Sequence, residues 1–159
     1  MVEADAYAEA RRQSLDSSMK ELNQLLNIAT QVRRSEVYGY DDDKLTNLCL
    51  PVSRALLQAL HAAGFKEAYL VQGTFTLDEP VAYEDGEIDK VLHYWVEYKD
   101  LIIDLTATQF AESCQEELEN ITMGTHSEYT RYSVSWRGKA AQESRKLNWQ
   151  RNWPTNSIS

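Results

Sequence analysis

Disulfide scaffolds, collagen-like repeats and membrane spans all lack the residues they need in this sequence. Cysteine is scarce: only Cys49 and Cys114 occur, too few for a disulfide framework. A chain of 159 residues buries roughly 70% of its unfolded surface without staples, so both sulfurs read as thiols. Six glycines and three prolines exclude low-complexity linkers and collagen. No apolar run approaches the ~18 residues that cross a bilayer, and the opening MVEADAYAEARRQ has no signal-peptide core. These absences predict a soluble, unprocessed chain without a membrane partner, cytoplasmic where it is made, with a translocated effector as the alternative. Positive charge is short as well. Sixteen basic residues face twenty-five acidic ones, a net charge of -9, which opposes a phosphate backbone and argues against nucleic acid as a partner.

What remains is ordinary composition for one domain, with no internal repeat. Between Asp5 and Arg34, Leu15, Met19, Leu22, Leu26, Ala29 and Val32 recur at steps of three and four, predicting one long amphipathic helix or two shorter ones. The segment Ser35 to Asn47 loses that period and gathers Gly39 and three aspartates, as an exposed loop would. CLPVSRALLQALHAAG, from Cys49 to Gly64, is the clearest helix. Pro51 fits a first turn, Val52, Leu56, Leu60 and Ala63 share a face, and Gly64 supplies the stop.

Three strands are predicted next, Glu67 to Leu77, Val91 to Tyr98 and Leu101 to Thr106, the polar DEPVAYEDGEIDK between the first two reading as a loop. Lys99-Asp100 would close the last two as a hairpin despite lacking a glycine. A short helix over Phe110 to Asn120, a strand over Glu128 to Trp136 and a polar helix or tail complete the chain.

Cys49 stands where loop becomes helix, facing unpaired backbone N-H groups and the positive end of the helix dipole, a setting that suits a nucleophile. A cysteine beside leucines is also an ordinary small buried group. The hairpin supplies partners. With a two-residue loop, facing positions put Trp95 opposite Asp104 and His93 opposite Thr106, so His93 and Asp104 share a face as diagonal neighbours. Asp104 can then orient one ring nitrogen of His93 while the other addresses the Cys49 thiol. An acid inside LIIDLT is otherwise costly unless it faces water.

In this order, Cys49 on a helix, a strand ending near Gly73, His93 in HYWVE and Asp104 in IDLTATQF, the chain resembles the papain-like superfamily in its transglutaminase-type form. CLPVS with its leucine-rich helix is also similar to the core of lasso-peptide leader peptidases. The resemblance spans Asn47 to Phe110. It implies an α+β papain-like domain over residues 1–159, with a helical part at 1–46, a catalytic core at 47–110 and a C-terminal strand and tail at 111–159. The Cys helix would pack on an antiparallel sheet.

The implied activity is that of a cysteine hydrolase or acyltransferase acting on peptide bonds or glutamine side-chain amides, as a peptidase, deamidase or transglutaminase-like enzyme. Cys49 would be the nucleophile, His93 the base and Asp104 the orienter, with no metal or organic cofactor. The chain departs from the family where Asn47 and Leu50 replace the small residue and the tryptophan that flank its cysteine, and no glutamine precedes Cys49 as oxyanion donor. The Cys49 backbone N-H, helped by Asn47 or Thr46, is the substitute, and Trp95 would wall the cleft.

The acidic surface suits a basic or neutral protein partner, and a second protein could supply substrate recognition. A papain-like binding module without turnover is the first alternative. A metal-dependent hydrolase is the second, with zinc on Cys49, His93, Cys114 and His126, although no close ligand pair supports it. Acidic neighbours should keep Cys114 passive; His61 suits a helix-end cap.

Overall fold

The computed structural model describes residues 2–37, 39, 45, 47–83 and 86–138. Helix α1 (Val2–Val37) and helix α2 (Cys49–Ala62) precede a five-stranded antiparallel sheet. Its strands are β1 (Ala68–Tyr83), β2 (Gly86–Tyr98), β3 (Leu101–Asp104), β4 (Thr122–Thr125) and β5 (Tyr132–Gly138), in the order β4-β3-β2-β1-β5. A 3-10 turn (Ala107–Ser113) follows β3. The chain is therefore α+β, with the N-terminal helices against an antiparallel sheet. Among the described residues no helix is long and apolar enough to cross a membrane.

Several expectations change. The helix over 5–34 is a single element, but most of its anticipated apolar stripe is solvent-facing: Leu15, Met19, Leu22 and Leu26 are exposed, while its last members Ala29 and Val32 enter the core as expected, joined by Leu25. Periodicity reports that a helix has an apolar side, not which apolar side its domain covers.

The polar stretch after Leu77 is not a loop. β1 and β2 run on as a long hairpin to Tyr83 and Gly86, with an irregularity between Thr76 and Val81 where Pro80 interrupts the ladder. Backbone pairing needs no apolar side chains, so the composition concealed these strands. The short helix expected from Phe110 is the earlier 3-10 turn, the strand expected from Glu128 begins at Tyr132, and β4 comes in addition to the expected strands. The C-terminal segment from Lys139, with Trp149 and Trp153, lies outside the described residues.

Alternation divides the sheet into two cores. Leu70, Val96 and Ile103 pack on α2 through Val52, Leu56 and Leu60, and Leu25 and Ala29 of α1 complete that layer. On the other face Val71, Phe75, Val91, Trp95 and Ile102 pack with Phe110 and Tyr132. Gly73, paired with His93 across the ladder, cannot carry a side chain: a Cβ there would collide with the Ser133 carbonyl and the Trp95 ring. A register shift in the β1/β5 pairing falls at the same place.

Candidate active site

The hairpin has the expected register, Tyr98 with Leu101, Glu97 with Ile102 and Val96 with Ile103. Lys99 turns it in the left-handed region at φ 54, which replaces the missing glycine. The parity therefore holds: His93 and Asp104 point to the same side, and the His93 Nε2-H donates to Asp104 Oδ2 at 2.7 Å. Both are buried.

Asp104 is held from every direction. The Thr106 backbone N-H donates to Oδ1 at 3.0 Å, and the Tyr132 hydroxyl donates to Oδ2 at 2.7 Å. These bonds and the His93 charge outweigh burial and lower the carboxyl below its usual range. Around them stand Phe75, Phe110 and Trp95, whose rings lie 5.0 to 5.9 Å from the imidazole.

Cys49 arrives by an unexpected route. Helix start and hairpin parity alone set the helix and the hairpin on facing surfaces, yet His93 lies in the core away from α2, and Cys49 packs with Leu92 and Tyr94, which point the other way. The two meet at the edge of β2. The β2/β3 ladder ends at Val96 and Ile103, and beyond it α2 bonds to β2, where the Ser53 hydroxyl donates to the Tyr94 carbonyl at 3.3 Å.

With Nε2 held by Asp104, the nitrogen left for the thiol is Nδ1. Nδ1 is buried without a hydrogen bond of good geometry, while Cys49 is close enough to act on the ring as a hydrogen-bonding group and as a charge. Nδ1 is thus the ring nitrogen left to address the thiol, with no hydrogen bond formed to it, as is common in catalytic sites without substrate. Burial lowers the affinity of His93 for its proton, but the Asp104 charge and hydrogen bond, with Cys49, overcome it and raise the pKa to about 10.

The α2 N-terminus has no side-chain cap and no acidic residue in its first turn, which leaves its N-H groups to serve an anion. Asn47 is exposed at φ 73, and Thr46 lies outside the described residues. Trp95 corrects an expectation: it is wholly buried and walls no open cleft, because the alternation that puts it beside His93 also puts it in the core. A cavity of about 590 Å³ opens beyond Phe75 and Tyr132, lined also by Asp78, Glu116 and Arg131, and Cys49 does not line it.

Cys114 is partly buried and follows the 3-10 turn rather than sitting on a helix; burial raises its pKa, with Asp78 and Glu116 adding to the effect and Arg131 opposing it. The His61 Nε2-H donates to the Ala68 carbonyl at 2.8 Å, tying α2 to β1. Among the described residues no group of three or more His, Cys, Asp or Glu side chains is arranged to hold a metal ion.

Sequence reasoning missed Tyr132 and a second buried acid, Glu97. Glu97 accepts the Trp95 indole N-H at 2.9 Å, the His126 Nε2-H at 2.7 Å and the Arg137 guanidinium at 3.1 Å. The alternation that paired His93 with Trp95 continues to Glu97 and could have found it. Tyr132 needed the β1/β5 register, which no local pattern reveals.

No family model, no curated protein and no solved structure matches this chain.

Proposed function

We propose that this chain is a papain-like thiol hydrolase or acyltransferase that acts on peptide or glutamine side-chain amides through an acyl-enzyme on Cys49. The observation that carries the reading is the 2.7 Å bond from His93 Nε2 to Asp104, which leaves Nδ1 beside the Cys49 thiol at the start of a helix. In this mechanism His93 holds the thiol proton, and the sulfur attacks the amide carbon. The Cys49 and Leu50 N-H groups support the oxyanion, Pro51 having none and the Val52 N-H being given to the Leu48 carbonyl, with Asn47 or Thr46 as further donors. His93 then protonates the departing nitrogen and activates the water or amine that releases the acyl group. Asp104 keeps the ring oriented and its positive charge stabilised throughout.

Neither Cys49 nor His93 has any exposed surface, so substrate has to displace part of Leu50, Leu92, Tyr94 and Trp136, the apolar side chains packed around the thiol. The same burial favours the second reading, a papain-like module that binds a partner without turnover. Incubation with a glutamine-containing peptide, followed by mass spectrometry of the intact chain, separates the two. An acyl or thioester adduct on Cys49, absent from Cys49→Ala and with ammonia or a cleaved peptide as co-product, supports the enzyme. Binding without adduct or product across a broad peptide set supports the module.

A further inference from the structure

Helix α1 is longer than its domain can use. Its buried contacts begin at Leu25 and continue through Ala29 and Val32, whereas every residue from 5 to 20 is exposed. At 1.5 Å per residue, that is roughly 24 Å of helix with solvent on all sides. Helices of this length are marginal in water unless one face is packed.

One face is built for packing. Leu15, Met19, Leu22 and Leu26 follow one another at steps of four, three and four and are 59%, 62%, 42% and 43% exposed. That spacing is a heptad seam, with Leu15 and Leu22 at the d positions and Met19 and Leu26 at the a positions. Ala29, the next d position, is covered by the domain together with Leu25 and Val32, so the stretch of seam open to a partner ends at Leu26.

We propose that this seam is a self-association surface, on which two copies of the chain pair their α1 helices as a parallel, in-register coiled coil. Charge complementarity selects a second copy and this orientation. In a parallel pair each g position faces the e position five residues further along the other helix. Arg11 then meets Asp16 of the second copy, Ser18 meets Asn23, both pairs occur twice by symmetry, and no like charges meet across these flanks. Reversing one helix stacks Leu15 on Leu26 and Met19 on Leu22 but sets Asp16 against Asn23 and makes no ion pair. The preceding a position, Arg12, faces its own copy in this register, and its bond to Glu9 of its own helix at 2.7 Å offsets that charge, so the apolar seam starts at Leu15. The surface lies on another element from the Cys49 site and is independent of the reading given to that site.

Analytical ultracentrifugation of the full chain over a concentration series tests this. The expected result is a monomer-dimer equilibrium that Leu22→Glu and Met19→Glu each abolish, with thermal melting of a dilute sample unchanged because both side chains are already exposed. Arg11→Asp should weaken the dimer about tenfold, and adding Asp16→Arg should restore it. A chain that stays monomeric at every concentration, or a dimer that survives Leu22→Glu, overturns the proposal. A dimer whose paired charge reversal fails to recover overturns the parallel register. A monomer that binds lipid vesicles through the same leucines also overturns it, by assigning the seam to a membrane.

Discussion

Two buried carboxylates on one face of the sheet each accept a histidine Nε2-H at 2.7 Å: Asp104 from His93 and Glu97 from His126. They differ in what else the pair touches. The Asp104 pair is closed off by aromatic rings, and the other nitrogen of its histidine is buried without a hydrogen bond, with Cys49 near enough to act on the ring. Glu97 also accepts from an indole and a guanidinium, and the side chains of His126 and Arg137 are 35% and 46% exposed. A histidine-carboxylate pair is therefore not a catalytic signature by itself. The third group decides what the pair does. Beside Cys49 it can move a proton, and beside Trp95 and Arg137 it ties β2 to β5 and to the turn after β4.

Substitutions that break one pair and spare the other sharpen this contrast. The largest effect belongs to Cys49→Ala and His93→Ala, each of which should abolish amide turnover while circular dichroism still shows a cooperative melt. Asp104→Asn should follow, with turnover reduced roughly 10²-fold, less than the ~10⁴-fold loss in a serine triad because a thiolate-imidazolium pair leans less on its third member.

The Asp104 pair also sets a pH dependence with a definite sign. Its histidine pKa is raised from 6.5 to about 10, so the stability it contributes is complete below pH 6.5 and is lost as pH rises through 10. The depressed carboxyl contributes above its unfolded value near 3.8 and loses that share as pH falls through its folded value. Melting temperatures taken between pH 6.5 and 10 should fall in the native chain and change far less in Asp104→Asn.

Tyr132→Phe comes next in size. It keeps the ring that packs against Trp95 at 4.9 Å but removes a donor from Asp104. The carboxylate becomes a stronger base, and the His93 titration followed by NMR should move upward by about one pH unit; an unchanged midpoint would reduce Tyr132 to packing. The smallest effect on the chemistry belongs to Glu97→Gln. It should lower stability by about 1–3 kcal/mol in chemical denaturation while leaving Cys49 reactivity within about twofold. A large loss of reactivity would mean that the two pairs act as one site.

The part of this contrast that is legible in the sequence rests on alternation. Once the two-residue hairpin at Lys99-Asp100 is accepted, the shared face of His93 and Asp104 follows, and the helix that starts at Cys49 is legible from its own apolar spacing. What stays hidden depends on long-range partners. Cys49 comes to the pair on a helix packed against the sheet, and Tyr132 comes from a strand whose neighbour no local pattern names. The exposed row of α1 is legible as apolar but not as exposed, because sequence spacing is the same for a face that meets the domain and for one that meets a second chain. Trp95 fails as a cleft wall for a related reason: its parity is right, but its face is closed.

The central claim is that His93 and Asp104 activate the Cys49 thiol, and the rate of iodoacetamide labelling at each cysteine, followed against pH in the native chain and in His93→Ala, tests it most directly. The account predicts that Cys49 is labelled faster than Cys114 at neutral pH despite its burial, and that His93→Ala removes this advantage while leaving Cys114 unchanged. Labelling of Cys49 at the same rate with and without His93 would contradict it.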